Sequence, residues 1–191
     1  MISPYWNILT VVLSLVASSI YIRSMMQGKT IPNKMGWFIW MLAPLASSFI
    51  ILQNGGGWSA IPVFMSWIIP LLIFSVSFFV KDSYWKISKL DIFCLISALI
   101  AIYFWLVAKD IVSATIFAII ADGFGFVPTI VKSWVIPETE NPYPYMAGFL
   151  NASIGLLSLT QYEFYLYGMP LYLLFGNSIL LLVIMRKKFF K

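Results

Sequence analysis

Histidine is absent from this 191-residue chain, and Cys94 is its only cysteine. One cysteine cannot form an internal disulfide, and a chain without histidine lacks the usual zinc sites and imidazole-based acid–base chemistry. Charged residues are also scarce, at 10% of the chain against about 25% in a typical soluble domain. These shortages exclude a soluble enzyme, a disordered chain and a disulfide-stapled secreted module.

Apolar residues are abundant instead. They make up 61% of the chain, and the mean hydropathy is +0.93. A domain of this length leaves about 30% of its unfolded surface exposed, so this much apolar surface cannot be hidden from water in one core. We therefore expect lipid to surround the chain and the protein to be an integral membrane protein.

Seven long apolar runs lie between the charges, glycines and prolines. A membrane-crossing helix needs about 17–25 apolar residues, whereas a barrel strand needs about ten residues that alternate in polarity. The runs are of helical length and apolar nearly throughout, so they predict an all-α membrane protein with seven transmembrane helices. The predicted spans are 5–26, 36–53, 58–80, 91–108, 111–134, 142–160 and 164–185.

Lysine and arginine are distributed unevenly over the predicted loops. Eleven of the 12 basic residues fall on one side of the predicted membrane, and Lys109 alone falls on the other. Because basic loops stay in the cytoplasm, we expect a protein of the cell membrane, plasma or inner, with its N-terminus outside and its C-terminus in the cytoplasm. The basic tail predicts contact with anionic headgroups and no nucleic-acid partner. No basic residue precedes the first run, which predicts a retained span rather than a cleaved signal peptide.

The chain is weakly similar to itself at an offset of about 109 residues. At this offset Arg23 and Ser24 align with Lys132 and Ser133. Spans one to three then match spans five to seven, and the fourth span stands alone between them. Transporters built from such parallel repeats bind their substrate near the midplane, between the repeats.

The segment 126–134 reads FVPTIVKSW, and 138–145 reads ETENPYPY. Together they resemble the connection between the first two helices of a PQ-loop or SWEET repeat, and 21–34 resembles it more loosely. The resemblance implies a SWEET-like 3+1+3 fold, in which two three-helix bundles are joined by a linker helix. The implied units are a first bundle at 1–80, a linker helix with its flanking loop at 81–109, and a second bundle with a basic tail at 110–191.

The substrate class implied by the resemblance is broad, because the chain departs from the family pattern. Thr129 rather than glutamine follows Pro128, and the first span has no proline. Asn177 matches the third-helix asparagine of the sugar transporters, whereas the third span offers Ile69 or Ser66 at that place. A sugar, a vitamin and an amino-acid-like solute all stay open.

Asp122 is the most distinctive polar residue of the predicted spans. It lies about 11 residues into the fifth span, roughly 16 Å along the helix axis and close to the bilayer centre. An acid at that depth costs about 2.5–3.5 kcal/mol, so we expect it to face a cavity or a partner. Two interpretations stay open: binding of a solute or proton, and a structural carboxylate bonded to nearby hydroxyls or to backbone freed near Pro128.

Two amides and two indoles complete the candidate site. Asn151 predicts either an interhelical hydrogen bond or contact with a cavity, and the resemblance implies solute contact for Asn177. Trp40 is predicted to line the cavity, whereas Trp37 is expected in an interfacial aromatic belt. The predicted solute-binding residues are thus Asp122, Asn151, Asn177 and Trp40, and the predicted hinge or kink positions are Pro44, Pro128, Pro144 and Pro170.

The sequence predicts no catalytic group, metal or cofactor. Asp122 alone does not make an aspartyl pair, and no lysine follows the glycines at 55–57 as in a phosphate-binding loop. We expect a multi-pass carrier that moves a small polar solute by alternating access, with proton coupling left open. The alternative is a non-transporting receptor or assembly protein on the same fold, with its key residues in loops such as 134–145. The expected partners are the bilayer and the solute, and a homo-oligomer stays open.

Overall fold

The computed structural model describes residues 3–80 and 86–189. Two of the lysines used to predict the orientation, Lys81 and Lys191, lie outside the described residues. The predicted boundary between the first bundle and the linker segment also falls at the edge of the segment 81–85.

The described part of the chain forms seven α-helices, three short 3-10 turns and no strand. The seven predicted spans are therefore confirmed as helices, and their ends agree with the predicted ends to within four residues. The helices are α1 (Asn7–Met26), α2 (Lys34–Gln53), α3 (Ala60–Ser77), α4 (Lys89–Val107), α5 (Ile111–Val135), α6 (Tyr143–Leu157) and α7 (Phe164–Phe189).

Six of these helices are long and apolar enough to cross a membrane, which indicates a membrane protein. The exception is α6, whose 15 residues extend about 22 Å at 1.5 Å per residue. The predicted span 142–160 was longer, because an apolar run does not show where the helical backbone stops. Here Pro142 precedes the helix, and Ser158 caps its C-terminal end.

Side-chain caps fix the starts of two neighbouring helices. Ser88 and Asp91 form a capping box at the start of α4. The Asn33 side chain accepts a hydrogen bond from the Gly36 amide at the start of α2, at 3.0 Å. Asn33 Nδ2 also donates to Asp91 Oδ1 at 3.0 Å, so the starts of α2 and α4 are tied together.

The helix contacts define the interior of the protein. Helix α1 packs against α3 and α6, α2 packs against α3 and α5, and α7 packs against α5 and α6. Helix α4 contacts mainly α5. The main core contains several large aromatic side chains, whereas the outer faces of the helices expose large apolar side chains, as expected for surfaces in contact with lipid.

The helices alternate in direction, so their ends gather in two sets. At one end, the Ile31 amide donates to the Thr139 carbonyl at 2.9 Å and joins the α1–α2 loop to the α5–α6 connection. Most described basic residues lie at this end, which we call the basic end. At the opposite end, Ser158 Oγ donates to Asn7 Oδ1 at 3.0 Å, and Lys109 lies in the loop between α4 and α5.

Gly36 allows α2 and α5 to approach closely. A Cβ atom at Gly36 would lie 2.6 Å from Thr129 Oγ1 and 3.2 Å from the Gly125 carbonyl oxygen. We expect Gly36→Ala to destabilise the protein by about 1–3 kcal/mol, because the two backbones must move apart. The measurement is the apparent melting temperature of the purified protein in detergent.

Gly123→Ala is the matched control for this substitution. A Cβ atom at Gly123 would meet only the Tyr172 hydroxyl, at an ordinary contact distance of 3.6 Å. We expect this variant to melt at the wild-type temperature or above it. Equal melting temperatures for the two glycine variants would contradict the close contact between α2 and α5.

Candidate functional site

A cavity lies between six of the seven helices, with only α4 absent from its lining. The empty space amounts to about 570 Å³, part of which is open to the surroundings. Its lining residues are Ser14, Ala17, Trp37, Trp40, Met65, Ser66, Ile69, Pro70, Asp122, Phe126, Pro144, Tyr145, Ala147, Gly148, Asn151, Leu173 and Asn177.

All four predicted solute-binding residues line this cavity. Trp40 comes from α2, Asp122 from α5, Asn151 from α6 and Asn177 from α7. Each is less than one-tenth exposed. Residues that the sequence places on four separate helices are thus brought together around one space.

Asp122 is completely buried, and neither of its carboxylate oxygens has a hydrogen-bond partner within the described protein. Tyr172 on α7 is an electrostatic neighbour, but no hydrogen bond of acceptable geometry joins the two side chains. The described residues that line the cavity include no lysine or arginine. The Tyr172 hydroxyl is a neighbour of the kind that the structural interpretation of Asp122 requires, so both interpretations of this residue stay predictions.

Both asparagines of the cavity use their amide nitrogen within the protein. Asn151 Nδ2 donates to Ser14 Oγ at 2.6 Å, which confirms the interhelical hydrogen bond between α6 and α1. Asn151 Oδ1 is buried without a partner. Asn177 Nδ2 donates to the Leu173 carbonyl at 2.7 Å. Gly148 leaves room for this amide, since a Cβ atom there would lie 2.7 Å from Asn177 Oδ1.

Four aromatic side chains, Trp37, Trp40, Phe126 and Tyr145, form a continuous surface that we call the aromatic wall. Ring centroids lie 5.1 Å apart for Trp37 and Trp40, and 4.8 Å apart for Trp40 and Phe126. The rings of Trp37 and Tyr145 stack at 6.1 Å. All four residues line the cavity.

The expectation that Trp37 belongs to an interfacial belt is wrong, because the residue is only 3% exposed. Its indole Nε1 donates to the Tyr21 hydroxyl at 3.2 Å, so its polar atom is satisfied inside the protein. The position of Trp37 near the start of α2 suggested the membrane boundary. The environment of the side chain depends instead on the face of the helix, and Trp37 lies on the same inward face as Trp40.

The prolines fall into two groups. Pro44, Pro128 and Pro170 lie inside α2, α5 and α7, as does Pro70 inside α3, and each removes a helix hydrogen bond. Pro144 instead lies in the first turn of α6. Backbone N–H groups in the first turn have no partner within the helix, so proline costs no helix hydrogen bond there. Pro144 therefore helps to begin α6 and does not kink it.

A buried ion pair lies at the basic end, one hydrogen bond away from the cavity residue Tyr145. Lys132 Nζ lies 2.5 Å from Glu140 Oε2, and both side chains are completely buried. Lys132 Nζ also donates to the carbonyl oxygens of Ile31 and Thr139. The ammonium group thus joins the α1–α2 loop, the end of α5 and the connection to α6.

The other oxygen of this carboxylate extends the network to the aromatic wall. Glu140 Oε1 accepts hydrogen bonds from the hydroxyls of Tyr21, at 2.9 Å, and Tyr145, at 3.1 Å. We call Lys132, Glu140, Tyr21 and Tyr145 the Lys132–Glu140 network. Since Tyr145 also lines the cavity, the network lies directly against the proposed site.

The sequence analysis missed this network, because it treated Lys132 as a loop charge. The structure places Lys132 in the last turns of α5, on the buried face that also carries Thr129 and Gly125. The helical period of that face was a usable signal for the burial of Lys132. In the sequence, Glu140 could be recognised only as part of an acidic turn. No sequence pattern indicates that it contacts Tyr21.

A second ion pair at the basic end has the opposite environment. Lys187 Nζ and Glu138 Oε1 lie 2.5 Å apart, with side chains 57% and 63% exposed. The hydrogen bond from Lys187 lowers the pKa of Glu138 below its usual value. This exposed pair is a natural control for the buried one.

Comparisons of the chain with protein-family models, with curated proteins and with solved structures give no match. The functional argument therefore depends on the cavity and the residues around it.

Proposed function

We propose that the protein is a membrane carrier that moves a small polar solute through the central cavity by alternating access. The observation that carries this proposal is Asp122, a buried and unpartnered carboxyl that faces a cavity formed by six helices. Ionisable groups inside membranes are costly and mark solute or ion pathways.

We further propose the SWEET-like 3+1+3 arrangement, which the helix contacts support. If α1, α2 and α3 are taken as the counterparts of α5, α6 and α7 in that order, the main contacts between helices of one set have equivalents between the corresponding helices of the other. The contact of α1 with α3 matches that of α5 with α7, and the contact of α1 with α6 matches that of α5 with α2. Helix α4 has no counterpart, as expected for a linker. The PQ-loop-like segment 126–145 agrees with this arrangement.

In this proposal all seven helices cross the membrane, and the basic end faces the cytoplasm. Helix α6 is short, but its connections reach both ends of the protein. The 3-10 turn Pro137–Thr139 lies at the basic end, and Ser158 bonds to Asn7 at the opposite end. An odd number of crossings then leaves the N-terminus outside and the C-terminus in the cytoplasm.

Cysteine labelling tests this orientation, since Cys94 is buried and the only native cysteine. In a Cys94→Ser background we expect Lys109→Cys to react with an impermeant maleimide on intact cells. We expect Lys29→Cys to react only after permeabilisation. Labelling of both positions from the same side would contradict the proposed topology, and the Cys94→Ser parent controls for background reaction.

The proposed site also has the parts that alternating access needs. The Lys132–Glu140 network lies at the basic end, reaches the cavity through Tyr145 and includes Glu140 of the α5–α6 connection. Helices interrupted by Pro44, Pro70, Pro128 and Pro170 can bend at these positions without losing further hydrogen bonds.

The carrier proposal is tested by binding and flux together. Purified protein is first screened by thermal shift against sugars, amino acids, vitamins and small amines, because a ligand that binds the folded state raises the melting temperature. Any compound that binds is then offered, radiolabelled, to proteoliposomes containing the protein. We expect saturable uptake that is absent from protein-free liposomes and from a Ser66→Trp variant with a filled cavity. Binding without uptake would overturn the carrier proposal and favour the receptor alternative.

A further inference from the structure

We infer that the solute carries a protonated amine, which binds Asp122 through its N–H groups while the remainder of the solute lies against the aromatic wall. This inference rests on the proposed function and specifies its substrate class. Three independent properties of the cavity support it: its charge, its unused hydrogen-bonding atoms and its aromatic surface.

The charge of the cavity is the first property. Asp122 is the only ionisable acid among the described lining residues, which include no lysine or arginine. An anionic solute would be repelled by the carboxylate form of Asp122, and a neutral solute would offer it no counter-charge. A cation is the ligand that offsets the charge of Asp122.

The unused hydrogen-bonding atoms are the second property, and most of them are acceptors. Among the lining residues, both carboxylate oxygens of Asp122 and Oδ1 of Asn151 are buried acceptors without partners, whereas Trp40 Nε1 is a buried donor without one. The amide nitrogens of Asn151 and Asn177 each donate one of their two N–H groups, to Ser14 Oγ and to the Leu173 carbonyl. An ammonium group offers three donors and no acceptor, so it matches such a lining better than a hydroxyl, which needs both.

The aromatic wall is the third property. Phe126 lies four residues after Asp122, so both side chains lie on the same face of α5. Trp40 packs against Phe126, and the wall continues through Trp37 to Tyr145. Aromatic faces attract cations, tryptophan most strongly. The carboxylate and the wall therefore favour the same ligand charge.

Matched amine and alcohol probes test the inference. The pairs are ethanolamine with ethylene glycol, 2-amino-1,3-propanediol with glycerol, and glucosamine with glucose, so that the members of each pair differ in one ammonium or hydroxyl group. Binding is measured by calorimetry on the purified protein at a pH where the amines are protonated. We expect the ammonium member of at least one pair to bind about 30-fold or more tightly than its hydroxyl partner, as for a buried charge pair.

Two variants make the result specific to the carboxylate. Asp122→Asn should abolish the preference for the ammonium member, whereas Glu163→Gln, which removes an exposed acid outside the cavity, should keep it. The inference is overturned if the hydroxyl members bind as well as the amines. It is also overturned if no amine binds the wild type more tightly than Asp122→Asn.

Flux separates this inference from the proposed function. If an amine binds through Asp122 but does not enter proteoliposomes, the carrier proposal fails and the ligand class stands. If a neutral solute is taken up equally by the wild type and Asp122→Asn, the amine inference fails and the carrier stands.

Discussion

Replacing Glu140 with glutamine is expected to lower the free energy of unfolding by about 3–5 kcal/mol, the usual cost of breaking a buried ion pair from one side. Glutamine keeps the shape of the side chain and can still accept from Tyr21 and Tyr145. It leaves Lys132 buried without a counter-charge. The carbonyl oxygens of Ile31 and Thr139 supply only partial charges, so they do not replace the carboxylate.

Lys132→Met should cause a comparable loss, because Glu140 then becomes the uncompensated buried charge. The double variant Lys132→Met/Glu140→Gln should recover a large part of the stability, since neither charge remains. Lys187→Met breaks the exposed pair with Glu138 and should leave the unfolding midpoint unchanged. The measurement is equilibrium unfolding in detergent. A wild-type midpoint for Glu140→Gln would show that the buried pair does not stabilise the fold.

Asp122→Asn is expected to reduce solute uptake by about 30-fold or more, the effect of removing one partner of a buried charge pair. Asparagine is close to aspartate in size, so the cavity keeps its shape while losing its charge. The rate of uptake into proteoliposomes, at equal amounts of reconstituted protein, measures the effect. Normal uptake by this variant would remove Asp122 from the mechanism.

The same substitution should not lower the melting temperature. The carboxylate oxygens of Asp122 make no hydrogen bond in the described protein, so a neutral replacement removes a desolvated group without breaking a contact. Residues that are needed for binding often lower the stability of the fold in this way. A marked drop in melting temperature would instead indicate that Asp122 stabilises the fold. Glu163→Gln should change neither uptake nor melting temperature.

The helices could be predicted from the sequence because a helix that crosses a bilayer needs about 17–25 mostly apolar residues, and such runs are easy to recognise. The predictions 36–53 and 111–134 agree closely with α2 and α5. The prediction for α6 was too long, since uncharged residues continue into the turn after Leu157, with Leu159 among them. Proline and serine at its two ends set a boundary that hydropathy alone does not detect.

The candidate site was predictable to the extent that its residues are unusual inside a membrane. Asp122 and Asn151 stand out because apolar residues surround them in the sequence, and both line the cavity. Trp37 was misplaced because indoles are common both at membrane boundaries and in cores. Only packing against Tyr21 and Tyr145 distinguishes the two environments.

The contacts of the Lys132–Glu140 network were beyond the reach of sequence reasoning, although the helical period of α5 was a signal for the burial of Lys132. Its carboxylate and its lysine are eight residues apart, but Tyr21 lies 119 residues before Glu140. No local pattern encodes such a contact, because it depends on how α1 and α6 meet. The fully buried lysine also shows that a basic residue counted toward topology need not lie in a loop.

One oxygen of Glu140 accepts both tyrosine hydroxyls, so α1 and α6 cannot tilt apart at the basic end without giving up at least one of these bonds. Water must then enter a dry junction to solvate the released groups. In the proposed carrier, opening at the basic end would therefore carry the free-energy cost of at least one buried hydrogen bond to a charged group.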